Sequence, residues 1–425
     1  MLRYIVERAS DGRFLELDIP IDVTGASRVL CGPGRLSGSI APDLGDLRTA
    51  TGDLLIDQYA AFVHEEADGV IRGTWLATRS AYPDEEWTIE GAGFSAFLDG
   101  RPYTGEYNGV NVDVADVVRH IWAHVQSQTR SNINVTVTGS TGVKVGTSSD
   151  QALAQAQSAA TAAKAAADAA KRNLDAARAQ AKASPTPANK ALVESRKAQS
   201  DAANAAKKAA DARLSAAKTR VKEDGGAWKI LWWDTPDCLT EMQDAIEEAG
   251  HEWVEWSGWN ADRTRILKEI RILPRVGRRQ DELAFIEGDN IIEAVTVEAD
   301  SAEFANQVVA IGAGEGRAAL RVTLTENDGR LVKPYVLDAK HVTKKSVLET
   351  LARNELARRS VPFRVAAIRV DTSHPNAPRG SFQVGDEILV DCTVSRLGRK
   401  QLWRRIEEID WIDLDTCDLM LGDAL

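Results

Sequence analysis

Two histidines, His120 and His124, stand four residues apart in a stretch whose apolar positions recur at helical spacing, which puts both imidazoles on one helix face where they could share a metal ion. A zinc hydrolase of that kind needs a glutamate directly after the first histidine, and Ile121 occupies that place. The pair therefore reads as core or interface histidines. A second chemical signal, Val308-Val309-Ala310-Ile311-Gly312-Ala313-Gly314-Glu315-Gly316, has the glycines of a nucleotide loop after a strand. Phosphate cradling needs a helix N-terminus next, whereas Ala319 to Thr325 reads as another strand, so a β-turn is expected. Cys31-Gly32-Pro33-Gly34 reads the same way. The adjacent carboxylates Glu85-Glu86 and Glu407-Glu408 would point to opposite faces of a strand and cannot work as one acid and base pair. No nucleophile, base and orienter set stands out, so no catalytic residue is assigned.

Six tryptophans, Trp228, Trp232, Trp233, Trp253, Trp256 and Trp259, fall within 32 residues. Indoles stack on sugars, but they more often anchor cores and subunit contacts, because each brings a large apolar area with one polar tip. These six are the candidate interface residues. The four cysteines, Cys31, Cys238, Cys392 and Cys417, lie far apart with no zinc-ligand spacing; free thiols are expected, with neither metal nor cofactor.

The elements that position these groups divide at one unusual segment. Gln151 to Lys222 holds 29 alanines in 72 positions and no Ile, Phe, Met, Trp or Tyr, with a Ser184-Pro185-Thr186-Pro187 break near its centre. Alanine is the best helix former, and Pro185 biases Ser184 away from helical backbone, so a first helix should stop near Ala183. Thr186 fits an N-cap, Pro187 a first helical turn, and Gly225-Gly226 a stop. The arms are nearly equal, each about 50 Å long, so two antiparallel helices forming a coiled coil bring the chain back to its start. In the first arm Leu153, Ala160, Ala167, Leu174 and Ala181 form one seam and Ala156, Ala163, Ala170 and Ala177 the other; the second arm offers Ala191, Ser195, Ala198, Ala202, Ala205, Ala209, Ala212 and Ala216. A flexible Ala/Lys linker is the alternative, because alanine seams bury little area per residue. One continuous rod would have to run through two prolines.

Charge follows the same division. The segment carries 14 Lys/Arg and 5 Asp/Glu, and this +9 against a whole-chain −11 leaves the other 353 residues at −20. The lysines solvate an alanine rod, or offer a basic arm to nucleic acid, an anionic cell-wall polymer or an acidic protein face, while the acidic body makes a poor nucleic-acid binder. No run approaches the length of a membrane span, and Met1-Leu2-Arg3-Tyr4-Ile5 opens a strand pattern where a signal peptide would be basic and then apolar.

The body reads as α+β. Residues 1-105 alternate as short strands with turns at barrel or sandwich spacing, including a hairpin at Ser10-Asp11-Gly12 and another at Asp68-Gly69. Residues 106-149 and 223-283 pair a helix from Val112 to Gln126 with a strand from Ala227 to Trp233, a helix from Pro236 to Ala249 and a hairpin of Trp253 to Trp256 with Ile266 to Leu273. Residues 284-425 alternate again around a helix of 344-359. Two antiparallel β-barrel-like domains are thus expected to flank an α+β domain carrying the helical hairpin at 150-222.

In this order of elements the body resembles the tail-tip hub proteins, or minor tail proteins, of long-tailed phages of actinobacterial hosts, and more distantly the baseplate hub of contractile tails. The resemblance is carried by Val70-Ile71-Arg72-Gly73, Trp87-Thr88-Ile89-Glu90-Gly91, Ala249-Gly250-His251-Glu252-Trp253, the Ser346 to Arg359 helix, Val384-Gly385-Asp386-Glu387-Ile388-Leu389-Val390 and Trp403-Arg404-Arg405-Ile406. It implies a virion structural protein at the tail tip, made in the host cytoplasm. It further implies a homotrimer whose barrels form a ring continuing the tail tube, in contact with the distal tail protein, tape measure and adhesion or spike proteins. DNA would pass through an acidic lumen without specific binding. The rod is a departure from that family. The other functions weighed are a tail-tip peptidoglycan hydrolase and a carbohydrate-binding adhesin using the tryptophans.

Overall fold

The computed structural model describes residues 2–45, 48–49, 52, 54–81, 87–293, 296–298, 304–314, 316–340, 342, 344–360, 364–394 and 398–424. Glu85 and Glu86 lie outside them. The chain forms two compact units: residues 1–97, 130–136 and 251–425, and residues 98–129 and 137–250.

The first unit is built on one 13-stranded sheet. Leu2–Arg8 pairs with Ala61–Ala67, which pairs in turn with Val70–Ala81, Trp87–Gly93, Arg35–Ile40 and Asp22–Val29. The last of these meets the C-terminal strand Gly398–Trp411 in the register Val29 with Glu408 and Ala26 with Trp411. Gly398–Trp411 also pairs with Thr416–Asp423 and with Glu387–Val394, beside which Arg279–Ile286 runs parallel. Two separate barrel-like domains were the expectation. Among the described residues no sheet closes as a barrel, and the strands of 1–105 and 284–425 share a ladder.

The reason is visible in the core. Val6, Trp75 and Ile89 from the first region pack in one cluster with Phe285, Ile406 and Leu419 from the last. Separating them would expose both faces, at roughly 1.5–3 kcal/mol for each large side chain. A smaller three-stranded sheet, Gln307–Ile311 between antiparallel Arg321–Thr325 and parallel Pro334–Asp338, is covered by the Lys345–Arg359 helix through Leu348 and Ala352. Where a β-turn was expected after Ile311, a short 3-10 helix, Gly316–Ala318, precedes the antiparallel strand Arg321–Thr325, and Glu315 lies outside the described residues. At the other glycine turn, a Cβ on Gly34 would lie 2.0 Å from the Ser27 carbonyl oxygen, so no larger residue fits.

In the second unit the Val114–Gln126 helix buries Val117, Val118, Ile121, Trp122 and Val125 and packs on the Cys238–Glu248 helix. Asp113 caps the first of these by accepting from Ala115 N at 2.9 Å, and Asp237 caps the second by accepting from Thr240 N at 2.9 Å.

The alanine-rich segment forms helices Ser149–Ala183 and Pro187–Asp224. Thr186 accepts from Asn189 N at 3.2 Å, Pro187 begins the second helix, and Gly225 ends it at φ 75°. The helices run antiparallel: Gln180 Nε2 donates to Asn189 at 3.3 Å near the tip, and Ser149 Oγ to Asp224 at 2.6 Å at the root. Thr147 N donates to Gly226 O at 2.7 Å, so the chain leaves and re-enters the body at adjacent points.

In the first helix Ala160, Ala167, Leu174 and Ala177 are buried, and Leu153, Ala156, Ala163, Ala170 and Ala181 are half-buried. The expected second seam is corrected. Ala191, Ser195, Ala198, Ala202, Ala205, Ala209, Ala212 and Ala216 are all exposed; Asn189 and Leu192 are half-buried near the tip, and beyond them the covered positions are Val193, Arg196, Ser200, Ala203, Lys207, Ala210, Leu214, Ala217 and Val221. That frame has the same alternating three and four spacing, but it covers Val193, Leu214 and Val221, whose extra methyl groups outweigh the closer approach an alanine seam permits. Lys207 lies along it with its ammonium on Asp211 at 2.6 Å.

Candidate functional site

Each histidine of the candidate metal pair is already engaged. His120 Nε2 lies 2.7 Å from the Tyr103 hydroxyl, and its ring stacks on Tyr107 at 4.2 Å. His124 Nε2 lies 3.0 Å from Thr104 Oγ1 and 3.2 Å from Thr104 N, with the Tyr103 ring 4.2 Å away. Burial lowers both imidazole pKa values, the His120 ring being pushed further by His124. Neutral rings in an aromatic and hydroxyl cage bind the segment before the Glu106–Gly109 strand to the helix face. No metal-holding cluster occurs among the described residues. The four cysteines are free thiols.

The six tryptophans divide three to each unit. In the second, Trp228 pairs opposite Gly109 on a short strand, and Trp232 and Trp233 stand edge to face at 5.7 Å while 53% and 52% exposed. Thr235 ends that turn in left-handed backbone at φ 48°. In the first unit Trp253 is buried; Trp256 lies under the Arg271 guanidinium at 3.7 Å; Trp259 meets Phe14 edge-on at 5.6 Å and donates to Glu66 at 2.9 Å. Only Trp232 and Trp233 present most of an indole to solvent, the feature a contact surface needs.

A polar cluster that no local motif announced sits inside the first unit. Glu7, His64, Thr74 and Lys268 come from four different strands and are all buried. Lys268 Nζ reaches Glu7 at 2.6 Å and lies 4.5 Å from the centre of the Phe62 ring; His64 Nδ1 is 2.8 Å from Thr74 Oγ1; His64 Nε2 is 3.3 Å from Glu7 Oε2. Burial pushes the Glu7 carboxyl up, but the nearness of His64 and Lys268 outweighs it and brings it down to about 2. Burial dominates at His64 and keeps the ring neutral.

Carboxylate, imidazole and hydroxyl in this order are the parts of a nucleophilic triad, and the geometry decides against that use. Glu7 Oε2 lies 3.3 Å from His64 Nε2, but Glu7, His64 and Thr74 are all closed off from solvent, so the set is not presented to a substrate. Lys268 instead takes the carboxylate. The cluster ties the strands Leu2–Arg8, Ala61–Ala67, Val70–Ala81 and Ile266–Leu273 together. A sign in the sequence is Phe62-Val63-His64-Glu65-Glu66, where polar residues fail to alternate; the strand that holds it, Ala61–Ala67, is buried at all seven positions.

A second fixed point is the Arg405 fork. Its Nη1 and Nη2 each donate to Glu252 at 2.6 Å, and its Nε donates to Gly385 O at 3.0 Å, clamping the turn before Glu387–Val394 onto the Glu252–Trp259 strand. Gly277 and Gly385 pack so closely here that a Cβ on either would lie within 2.5 Å of backbone.

No family model and no curated protein matches the chain. Among solved structures it is similar to the 43 kDa tail protein of prophage MuSo2 from Shewanella oneidensis, at 10% identity and a TM-score of 0.53 over 99% of this chain and 98% of that one. An E. coli component of the type VI secretion system, described as structurally similar to bacteriophage tail proteins, aligns at 8% identity over 96% of this chain and 75% of its own, with a TM-score of 0.40 that carries no argument. The first likeness runs from end to end of both chains, and what it establishes is a shared fold.

Proposed function

We propose that the chain is a structural subunit of a bacteriophage tail rather than an enzyme, and within the tail a hub at the tip. The observation that carries this reading is the fold shared over nearly the full length of both chains with a prophage tail protein. In the proposed assembly three copies form a ring that continues the tail tube, meeting the distal tail protein and tape measure on one side and adhesion or spike proteins on the other. An acidic body suits a channel through which DNA must slide without adhering. The +9 rod is an outrigger that braces a neighbouring subunit or adhesion protein of opposite charge.

Cryo-microscopy of the assembled tail, with light scattering of the purified protein, tests this. Three copies at the tip and a trimer in solution are expected; density for the chain elsewhere in the virion would sink the hub reading. A rod seen free of any neighbour would remove its bracing role.

A carbohydrate-binding adhesin is the second reading, favoured by the exposed edge-to-face pair Trp232 and Trp233. Glycan binding abolished by Trp232→Ala would move the assignment toward it. Among the described residues no site favours the hydrolase reading, and clearing of host cell wall by the pure protein would support it.

A further inference from the structure

Within the first unit lies a cavity of about 210 Å³ lined by Arg28 and Arg72 together with Phe94, Val254, Trp256 and Glu255. The Nε atoms of Arg28 and Arg72 are both buried, and neither finds a hydrogen-bond partner among the described residues. The nearby carboxylate Glu65 is taken by a third arginine, since Arg379 Nη2 donates to its Oε1 at 2.6 Å. Asp68, at the adjoining turn, is a further carboxylate in electrostatic reach of Arg72 and Arg379. Burial brings the Arg28 guanidinium down to about 10; the Glu65 carboxylate opposes that fall, and the charges of Arg72 and Arg379 add to it. Both side chains are half-buried, and each buried Nε that makes no hydrogen bond costs about 1–3 kcal/mol, which an acceptor from outside the chain would offset.

We propose that this cavity binds a carboxylate carried on a short apolar stem, gripped by the donors of Arg28 and Arg72. A planar carboxylate matches a guanidinium fork, and the stem matches Phe94, Val254 and Trp256. Glu255 sets the charge the site accepts. Its Oε1 takes a hydrogen bond from Ser95 N at 2.5 Å, and its other oxygen packs against the bare backbone of Gly93, where a Cβ would lie 2.2 Å away. Burial pushes Glu255 up to about 7, so near neutrality it is partly protonated and opposes a single negative charge less than a double one. The carboxylate comes from an acidic side chain of another copy of the chain or from a free small acid, and the chemistry of recognition is the same.

The test is calorimetric titration of butyrate, acetate and inorganic phosphate into the full chain at fixed ionic strength. Butyrate is expected to bind saturably and more tightly than either, and more tightly still as pH falls through about 7 and Glu255 protonates. Arg72→Gln and Arg28→Gln should each weaken it roughly tenfold, as loss of a charge-assisted bond implies. Arg72→Lys, which keeps the charge and loses the fork, should fall between, with melting profiles verifying that each variant folds. Butyrate that fails to saturate, or that binds the glutamine variants as well as the parent, overturns the site; phosphate binding more tightly than butyrate overturns the carboxylate assignment. Light scattering with and without butyrate separates the sources: a fall in oligomer mass points to a neighbouring copy's side chain, and an unchanged mass to a free acid.

Discussion

Ser149 donates its hydroxyl to Asp224 at 2.6 Å, joining the first residue of one long helix to the last of the other. Around this bond Ala227 N and Lys229 Nζ both reach the Asp150 carboxylate, at 3.0 and 2.7 Å. The rod is therefore locked at its root by groups outside its own packed length. Replacing 151–222 with a short flexible loop should leave the body folded, with a melting temperature within a few degrees of the parent. Differential scanning calorimetry checks this, and a body that no longer folds would show that the rod is part of the core.

Inside the rod Leu174 is the largest buried side chain of its helix. Leu174→Ala should cost about 2 kcal/mol, the low end for such a truncation, because neighbouring alanines can close part of the gap. Far-ultraviolet circular dichroism should show the helical signal melting at lower temperature while the tryptophan fluorescence of the body is unmoved.

The Glu7 and Lys268 pair makes a sharper demand. Glu7→Gln leaves Lys268 buried and uncompensated and should destabilise by roughly 3–5 kcal/mol, whereas Glu7→Leu with Lys268→Met should recover most of the loss. Because the folded-state carboxyl lies near 2 against an ordinary 4.5, its contribution is complete above pH 4.5 and disappears as pH falls toward 2. The parent should lose stability through that window more steeply than Glu7→Gln, as urea unfolding at several pH values would register.

Gly34→Ala tests the turn beside the central ladder. The new methyl would strike the Ser27 carbonyl, which belongs to a paired strand and cannot move aside. A loss on the order of 1–3 kcal/mol is expected in thermal unfolding. A neutral result would mean that the strands part more easily than their hydrogen bonding indicates.

Trp232→Ala with Trp233→Ala separates packing from contact. Each indole is half exposed, so stability should change by no more than about 0.5 kcal/mol. Assembly or partner capture, followed by sedimentation, should fall at least tenfold if these rings are an anchor.

Helix ends were legible because their signals are local. Thr186, Pro187 and Gly225 act on backbone within a few residues, and the helices begin and end where those residues dictate. Strand partners were not, since the ladder between Val29 and Glu408 joins opposite ends of the chain, and no spacing rule encodes such a pairing. In the first arm Leu174 is buried and Leu153 half-buried. In the second arm the covered frame was not readable, because alanine occupies both frames and the choice falls to larger residues such as Val193, Leu214 and Val221. The buried Glu7, His64, Thr74 and Lys268 cluster and the Arg28 and Arg72 cavity are assembled from strands distant in sequence, each contributing one or two residues that look ordinary in place.

Because both arms start and finish at one root and turn only at Ser184 and Pro185, the tip's reach is set by residue count alone. Adding seven residues to each arm would carry the tip outward by about 10 Å with every seam contact restored in register. The hairpin is thus a ruler whose graduations can be altered without redrawing the trunk, and related chains could span different gaps with the same body.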